Sequence, residues 1–405
     1  SMITSFPGDV DATNLPDERH IADSLAATSP TVLLEIASDG TATRVAHFAE
    51  LDTWPQADPD ERPFYVRPAE RLRPATRYVV AIRNIDYTDG SAVEPSPYFQ
   101  ALRDDMPFAQ APDLEGRRAH FEEIFGFLTD AGVTRSELVL AWDFVTASDE
   151  VIYSDLITAR DRSHTMVDTM GASCTIDMVE DAPDTEIARR IHGTFRVPLF
   201  LNGTDPTSMM ESRLHRGADR LPEAATTAAV PFVADIPNVV VDRIRDGSGG
   251  AGRLLAYGHG LFGSRFETSS GAIRRTVDEL AMVSIATDWW GMFEDDVGRV
   301  ALTLTEFSNF DATGERLVQG MINIEIMVRS FREVCVGAPA TDNPFYVVPT
   351  AGGAPVLAYD PDDRYYYGNS QGGIMGSALA GLSTDITHFA VGVAGMSYSV
   401  MIPRS

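Results

Sequence analysis

The chain has 405 residues, 44% hydrophobic and 22% charged; two or more compact domains with buried cores are expected, and low-complexity disorder and collagen-like repeats are excluded. Its 59 acidic residues outnumber 32 basic ones, for a net charge of -27, which argues against nucleic acid and anionic membranes as partners. All the basic residues are Arg, so no Walker P-loop amine, no Schiff base and no Ser-Lys dyad can come from this chain.

In chain order, Ser1-Met2 reads as a cloning remnant, no signal peptide is visible, and residues 1-30 are polar with little periodicity. Thr31-Ile36 is a β-type run, Asp39-Gly40 a turn, and Thr43-Phe48 an alternating return strand. A Pro/Asp stretch from Trp54 to Pro63 precedes strands at Phe64-Arg67 and Arg77-Arg83. Short strands with turns at this spacing predict a β-sandwich. Residues 117-131 predict a helix, with Phe121, Ile124, Phe125 and Leu128 on one face. Leu138-Val145 predicts a strand and Ser148-Arg160 a helix; 172-201 and 228-242 read as further strands. The Gly-rich turn 247-252 is a flexible connection.

Beyond it strand and helix alternate. Strands are expected at Arg253-Tyr257, Met282-Thr287, Arg364-Tyr367 and Ile386-Ala394. Helices are expected at Ser269-Leu280, Arg316-Val334 and Gln371-Leu382. This alternation predicts a parallel sheet covered on both faces. No apolar run approaches the 18 residues of a transmembrane helix. Two cysteines, Cys174 and Cys335, cannot build an all-cysteine zinc site; they leave open one disulfide or two buried thiols. The acidic runs Asp58-Glu61, Glu294-Asp296 and Asp360-Asp363 lack calcium-loop spacing and read as solvated surface.

The chemistry concentrates at Gly368-Asn369-Ser370-Gln371-Gly372-Gly373, a G-x-S-x-G between a strand and a helix. A Ser on so sharp a turn projects its hydroxyl from the carboxyl edge of the sheet, and its neighbours must be Gly to avoid collision. The helix N-terminus then faces developing negative charge. A second motif, Gly258-His259-Gly260-Leu261-Phe262-Gly263, follows the strand 253-257. A His-Gly turn at this point is similar to the one with which an α/β-hydrolase supplies its second oxyanion donor, and that resemblance implies the backbone N-H groups of Leu261 and Gln371 as an oxyanion hole. His259 reads first as a brace of that turn and second as a substrate contact or stand-in base. Trp289, Trp290 and Met292 are expected to form an apolar wall beside Phe262. Asp288 is expected to hold a structural partner or orient the site.

The stretch Phe64-Ile82 resembles bacterial Ig-like modules through Pro68, Leu72, Thr76, Tyr78 and Val80. From about 170 onward the chain resembles an α/β-hydrolase of the secreted bacterial esterase/lipase kind. The expected fold class is α/β: a parallel-sheet α/β-hydrolase core, incomplete at its C-terminus, preceded by an all-β Ig-like sandwich. The expected divisions are 1-110 (sandwich), 111-170 (connection) and 171-405 (hydrolase). The resemblance implies cleavage of carboxylic esters through an acyl-serine, with Ser370 as nucleophile and no metal or cofactor. The substrate would be a small or polymeric ester, and the location secreted or cell-envelope. The family's acid and His follow the nucleophile; here only Asp385 and His388 do. The helix after Ser370 runs away from the catalytic edge at about 1.5 Å per residue, which leaves both residues at the opposite edge. A complementary C-terminal fragment is therefore expected to carry the triad's acid and base. The alternative is a hydrolase-fold binding or envelope protein without activity.

Overall fold

The computed structural model describes residues 1-53, 58, 62-108, 111-333 and 335-395. The spacer Trp54-Pro63 and the acidic run at 58-61 fall largely outside them. The chain forms two compact units, Ser1-Ile152 and Tyr153-Ser405.

In the first unit the strands are β1 Met2-Ser5, β2 Thr31-Ile36, β3 Ala42-Arg44, β4 His47-Leu51, β5 Pro63-Pro68, β6 Arg77-Arg83 and β7 Leu138-Val145, with helices α1 Pro97-Arg103 and α2 Arg118-Asp130 before β7. They form a three-stranded sheet β1-β5-β4 and a four-stranded sheet β3-β2-β6-β7, antiparallel throughout. Successive strand residues face opposite sides of a sheet. Leu33, Tyr78, Val80 and Ile82 accordingly join a core with Phe64 and Val66 of the smaller sheet. Val32, Leu34, Val79 and Ala81 face Phe99, Ile124 and Phe125 of the helices. Two sheets do face each other, but the helical cover means the module is not all-β. β7 pairs with β6 across seven residue pairs, so the segment expected to be a connection completes the first unit. The expected return strand Thr43-Phe48 splits: β3 pairs with β2, and β4 turns into the other sheet.

The second unit follows from α3 Asp149-Met170, which carries the division. Its elements are β8 Cys174-Asp181, β9 Ile187-Leu199, β10 Thr226-Pro237, α4 Asn238-Asp246, β11 Gly252-Gly258, α5 Gly271-Glu279, β12 Met282-Ala286, α6 Val297-Thr305, α7 Phe310-Glu333, the short strands β13 Tyr346-Val347 and β14 Val356-Leu357, β15 Tyr359-Asn369, α8 Gln371-Leu382 and β16 His388-Gly392. A seven-stranded sheet runs in the order β16-β15-β11-β12-β10-β9-β8. The four strands from β16 to β12 are parallel; β10, β9 and β8 join antiparallel. The expected parallel sheet is thus a mixed one. Helices cover both faces. Leu254, Ala256, Val283 and Ile285 share a core with Met321, Ile324 and Met327 of α7 and Leu379 of α8. Leu255, Tyr257 and Met282 face Ile273 and Val277 of α5.

Residues 238-242, expected as strand, are helical instead. Val240, Val241 and Ile244 place a buried stripe at helical spacing after Pro237. Cys174 on β8 and Cys335 after α7 form a disulfide, resolving the choice left open by the sequence.

From β11 the chain crosses to β12 on one side and later returns to β15 on the other. The order reverses there, which makes a crevice at the carboxyl ends of β11 and β15, the usual ligand position in an open α/β sheet. Both sequence motifs lie at those two ends.

Candidate active site

Ser370 joins β15 to α8 with φ 78° and ψ -105°, a left-handed backbone that an L-residue adopts at a cost. Three tight contacts explain the glycines around it. A Cβ on Gly368 would lie 2.3 Å from the Gly372 carbonyl oxygen; on Gly372, 2.1 Å from that of Gly258; on Gly373, 2.4 Å from that of Gly392. Any side chain there would push α8 off the sheet. The turn is fastened by Ser370 N-H donating to Gly392 O at 3.0 Å and Ile374 N-H to Ser370 O at 2.9 Å. The Tyr366 hydroxyl donates to Gly372 O at 2.6 Å. Ser370 itself is exposed, and Gln371 opens the first turn of the twelve-residue α8.

The close approach of Gly372 to Gly258 brings the second motif beside the first. His259 is fully buried. Its Nδ1 donates to Gly260 O at 2.7 Å, and its Nε2 accepts from Trp289 N-H at 2.8 Å. Burial holds its pKa below the ordinary histidine value. With both nitrogens occupied, the ring braces two loops. It is neither a substrate contact nor a free base, which corrects the second of the readings made for it. Leu261 is exposed, and its N-H meets no acceptor among the described residues. Around it every amide is tied: Gly260 N-H to Glu267 Oε2 at 2.7 Å, Phe262 N-H to Met292 O at 3.0 Å and Gly263 N-H to Gly260 O at 3.0 Å.

Two devices that sequence reasoning missed hold this loop. Glu267, seven residues beyond Gly260, clamps the turn. Asp296 accepts Gly291 N-H at 2.6 Å and Phe293 N-H at 3.2 Å, and is itself held by the buried Arg299 and Arg316. The segment it fixes presents Met292 O to Phe262 and Glu294 N-H to Gly263 O. No local spacing announces either contact; Asp296 lies in a run that reads as surface but is fully buried.

The expected apolar wall is not formed as drawn. Trp289, Trp290 and Met292 are buried: Trp289 and Trp290 pack in the main core, and Arg316 stacks 4.7 Å over the Trp290 ring. Of that group only Phe262 remains half-exposed beside the turn. Asp288 holds a structural partner, accepting from Arg265 N-H at 2.7 Å and from its guanidinium. His388 pairs in register with Tyr365, whereas Gly392 pairs with Asn369. His388 is therefore four residues, roughly 13 Å, from the Ser370 edge. Its ring stacks on Tyr365. Asp385 is buried against Arg329 and Arg332. His192, bonded to Glu180 at 2.8 Å, sits four strands from β15, roughly 19 Å away.

No protein-family model matches the sequence, and no curated protein matches it. Several solved structures resemble it at low similarity. Acetyl xylan esterase from Paenibacillus sp. R4 is 15% identical over 62% of this chain and 64% of its own, with a TM-score of 0.33. Acetyl xylan esterase 1 from Thermoanaerobacterium sp. JW/SL YS485 is 14% identical over 63% and 62%, with a TM-score of 0.34. A cold-adapted esterase from an Arctic intertidal metagenomic library is 16% identical over 55% and 66%, with a TM-score of 0.28. The chain thus spans less than two thirds of the length of each. Independently of them, the strand order β12-β11-β15-β16 and the helices on both faces are consistent with an α/β-hydrolase-like fold.

Proposed function

We propose that the protein is a serine hydrolase of carboxylic esters. Ser370 Oγ attacks the ester carbonyl carbon while its proton passes to a general base; the carbonyl electron pair moves onto oxygen. The Leu261 and Gln371 N-H groups hold that oxyanion. Collapse expels the alkoxide, which takes the proton from the base, and leaves an acyl-Ser370. Water, deprotonated by the same base, releases the acid and restores the hydroxyl. The base and its orienting acid are not among the residues that the described structure places beside Ser370. The substrate is a small or polymeric ester.

The observation that carries the reading is the strained Ser370, exposed between glycines that admit no Cβ. Such strain persists where the surrounding structure imposes it, commonly at reactive sites. The Cys174-Cys335 disulfide supports a secreted or envelope location, since disulfides persist in oxidising compartments. p-Nitrophenyl acetate turnover by the protein tests the proposal: Ser370→Ala is expected to abolish it, and turnover unchanged by that substitution refutes it.

A second reading, a hydrolase-fold binding protein without turnover, is favoured by the engagement of both His259 nitrogens and the remoteness of His388. It predicts no esterase activity.

A further inference from the structure

Within the second unit, three side chains from three elements converge away from Ser370. His164 comes from α3, Glu325 from α7 and Asp385 from the turn ahead of β16. One ligating atom of each lies within 4.8 Å of the others. His164 Nε2 stands 3.4 Å from Glu325 Oε1 and 3.9 Å from Asp385 Oδ2. The carboxylates are enclosed, with side chains 1% and 3% exposed.

Two buried atoms of this cluster lack a well-formed hydrogen bond: His164 Nε2, whose contact to Glu325 Oε1 is a long 3.4 Å, and Glu325 Oε2. Buried polar atoms in proteins are nearly always satisfied, so both call for a further partner, and the oxygen facing His164 Nε2 at 3.4 Å is Glu325 Oε1. The spacing says which kind. Two ligands about 2.0-2.1 Å from one tetrahedral zinc stand roughly 3.4 Å apart, close to the His164-Glu325 separation. The donor set, one imidazole and two carboxylates, suits a borderline divalent cation.

The surrounding charges leave room for it. Thr384 N-H donates to Glu325 Oε1 at 3.1 Å and orients that carboxylate. Arg329 divides itself between Asp385 at 3.1 Å and Asp168 at 2.6 Å. Arg332 reaches Asp385 only at 3.5 Å and is 42% exposed, so it can withdraw into solvent. Arg364 donates to the Asp385 backbone carbonyl and is offset by Asp362. A carboxylate oxygen has lone pairs for an arginine and a cation together.

We propose that His164, Glu325 and Asp385 bind a divalent cation of the zinc type. Bound there, it ties α3 to α7 and to the turn that starts β16, and it acts on stability rather than on ester cleavage.

The test uses chelator-treated full chain, titrated with Zn²⁺ alone by calorimetry and followed by thermal unfolding. One equivalent of zinc is expected to bind and to raise Tm. His164→Gln, at a partly exposed position, and Glu325→Gln are each expected to weaken zinc binding at least tenfold. Absence of zinc binding by the wild type overturns the proposal, as does binding that survives both substitutions. So does a Tm that zinc leaves unchanged.

Discussion

Ser370 combines a backbone angle that L-residues avoid with an exposed side chain. Replacing it separates them. Ser370→Ala keeps the strain and should leave stability nearly unchanged. Ser370→Gly relieves it and should exceed the alanine variant by roughly 1 kcal/mol in urea unfolding. Equal stabilities of the two variants would mean that the strain is absent. His259 makes a second residue-scale prediction. Its pKa is lowered in the folded protein by burial, so the unfolded chain takes up a proton that the folded one refuses. Stability is then fully present above the ordinary histidine pKa near 6.5 and falls as pH drops below it, by up to about 1.4 kcal/mol per pH unit. The buried His47 of the first unit shifts in the same direction. Denaturation at pH 7.5 and 5.5 should show the loss, and His259→Asn should show less of it. An unchanged slope in that variant would contradict the bracing role.

At the scale of elements, the elbow is a matter of clearance between β15, α8 and β11. Gly372→Ala places a methyl 2.1 Å from the Gly258 carbonyl oxygen; overpacking of this kind costs about 1-3 kcal/mol or more. Under the proposed function esterase turnover should fall with it, because the displaced strand end leads into the loop proposed to hold the oxyanion; retained stability and turnover would contradict the packing. The bounds of β6, β7 and α8 were legible in sequence because their apolar patterns end at turn residues. α4 was not: Val239-Val240-Val241 favours a strand by propensity, and only the stripe completed by Ile244 makes it a helix. The elbow was legible because its constraint is local. The burial of Trp289 and Trp290 was not, because a position on the catalytic edge does not fix which way a side chain turns. Glu267 and Asp296 were illegible for a related reason. Each acts through backbone amides that only the fold brings near.

For the whole molecule, the disulfide closes a loop of 161 residues within the second unit. Reduction should destabilise that unit by roughly 2-5 kcal/mol. The first unit contains no cysteine, so calorimetry should show one transition moving and the other staying; two transitions moving together would show that the units unfold as one. The excess of acidic residues bears on solubility and partner choice rather than on the fold. The most direct measurement is fluorophosphonate labelling of the protein with mass-spectrometric mapping of the adduct. The account predicts a single adduct on Ser370, lost in Ser370→Ala; no adduct, or one on another serine with Ser370 unmodified, would contradict it.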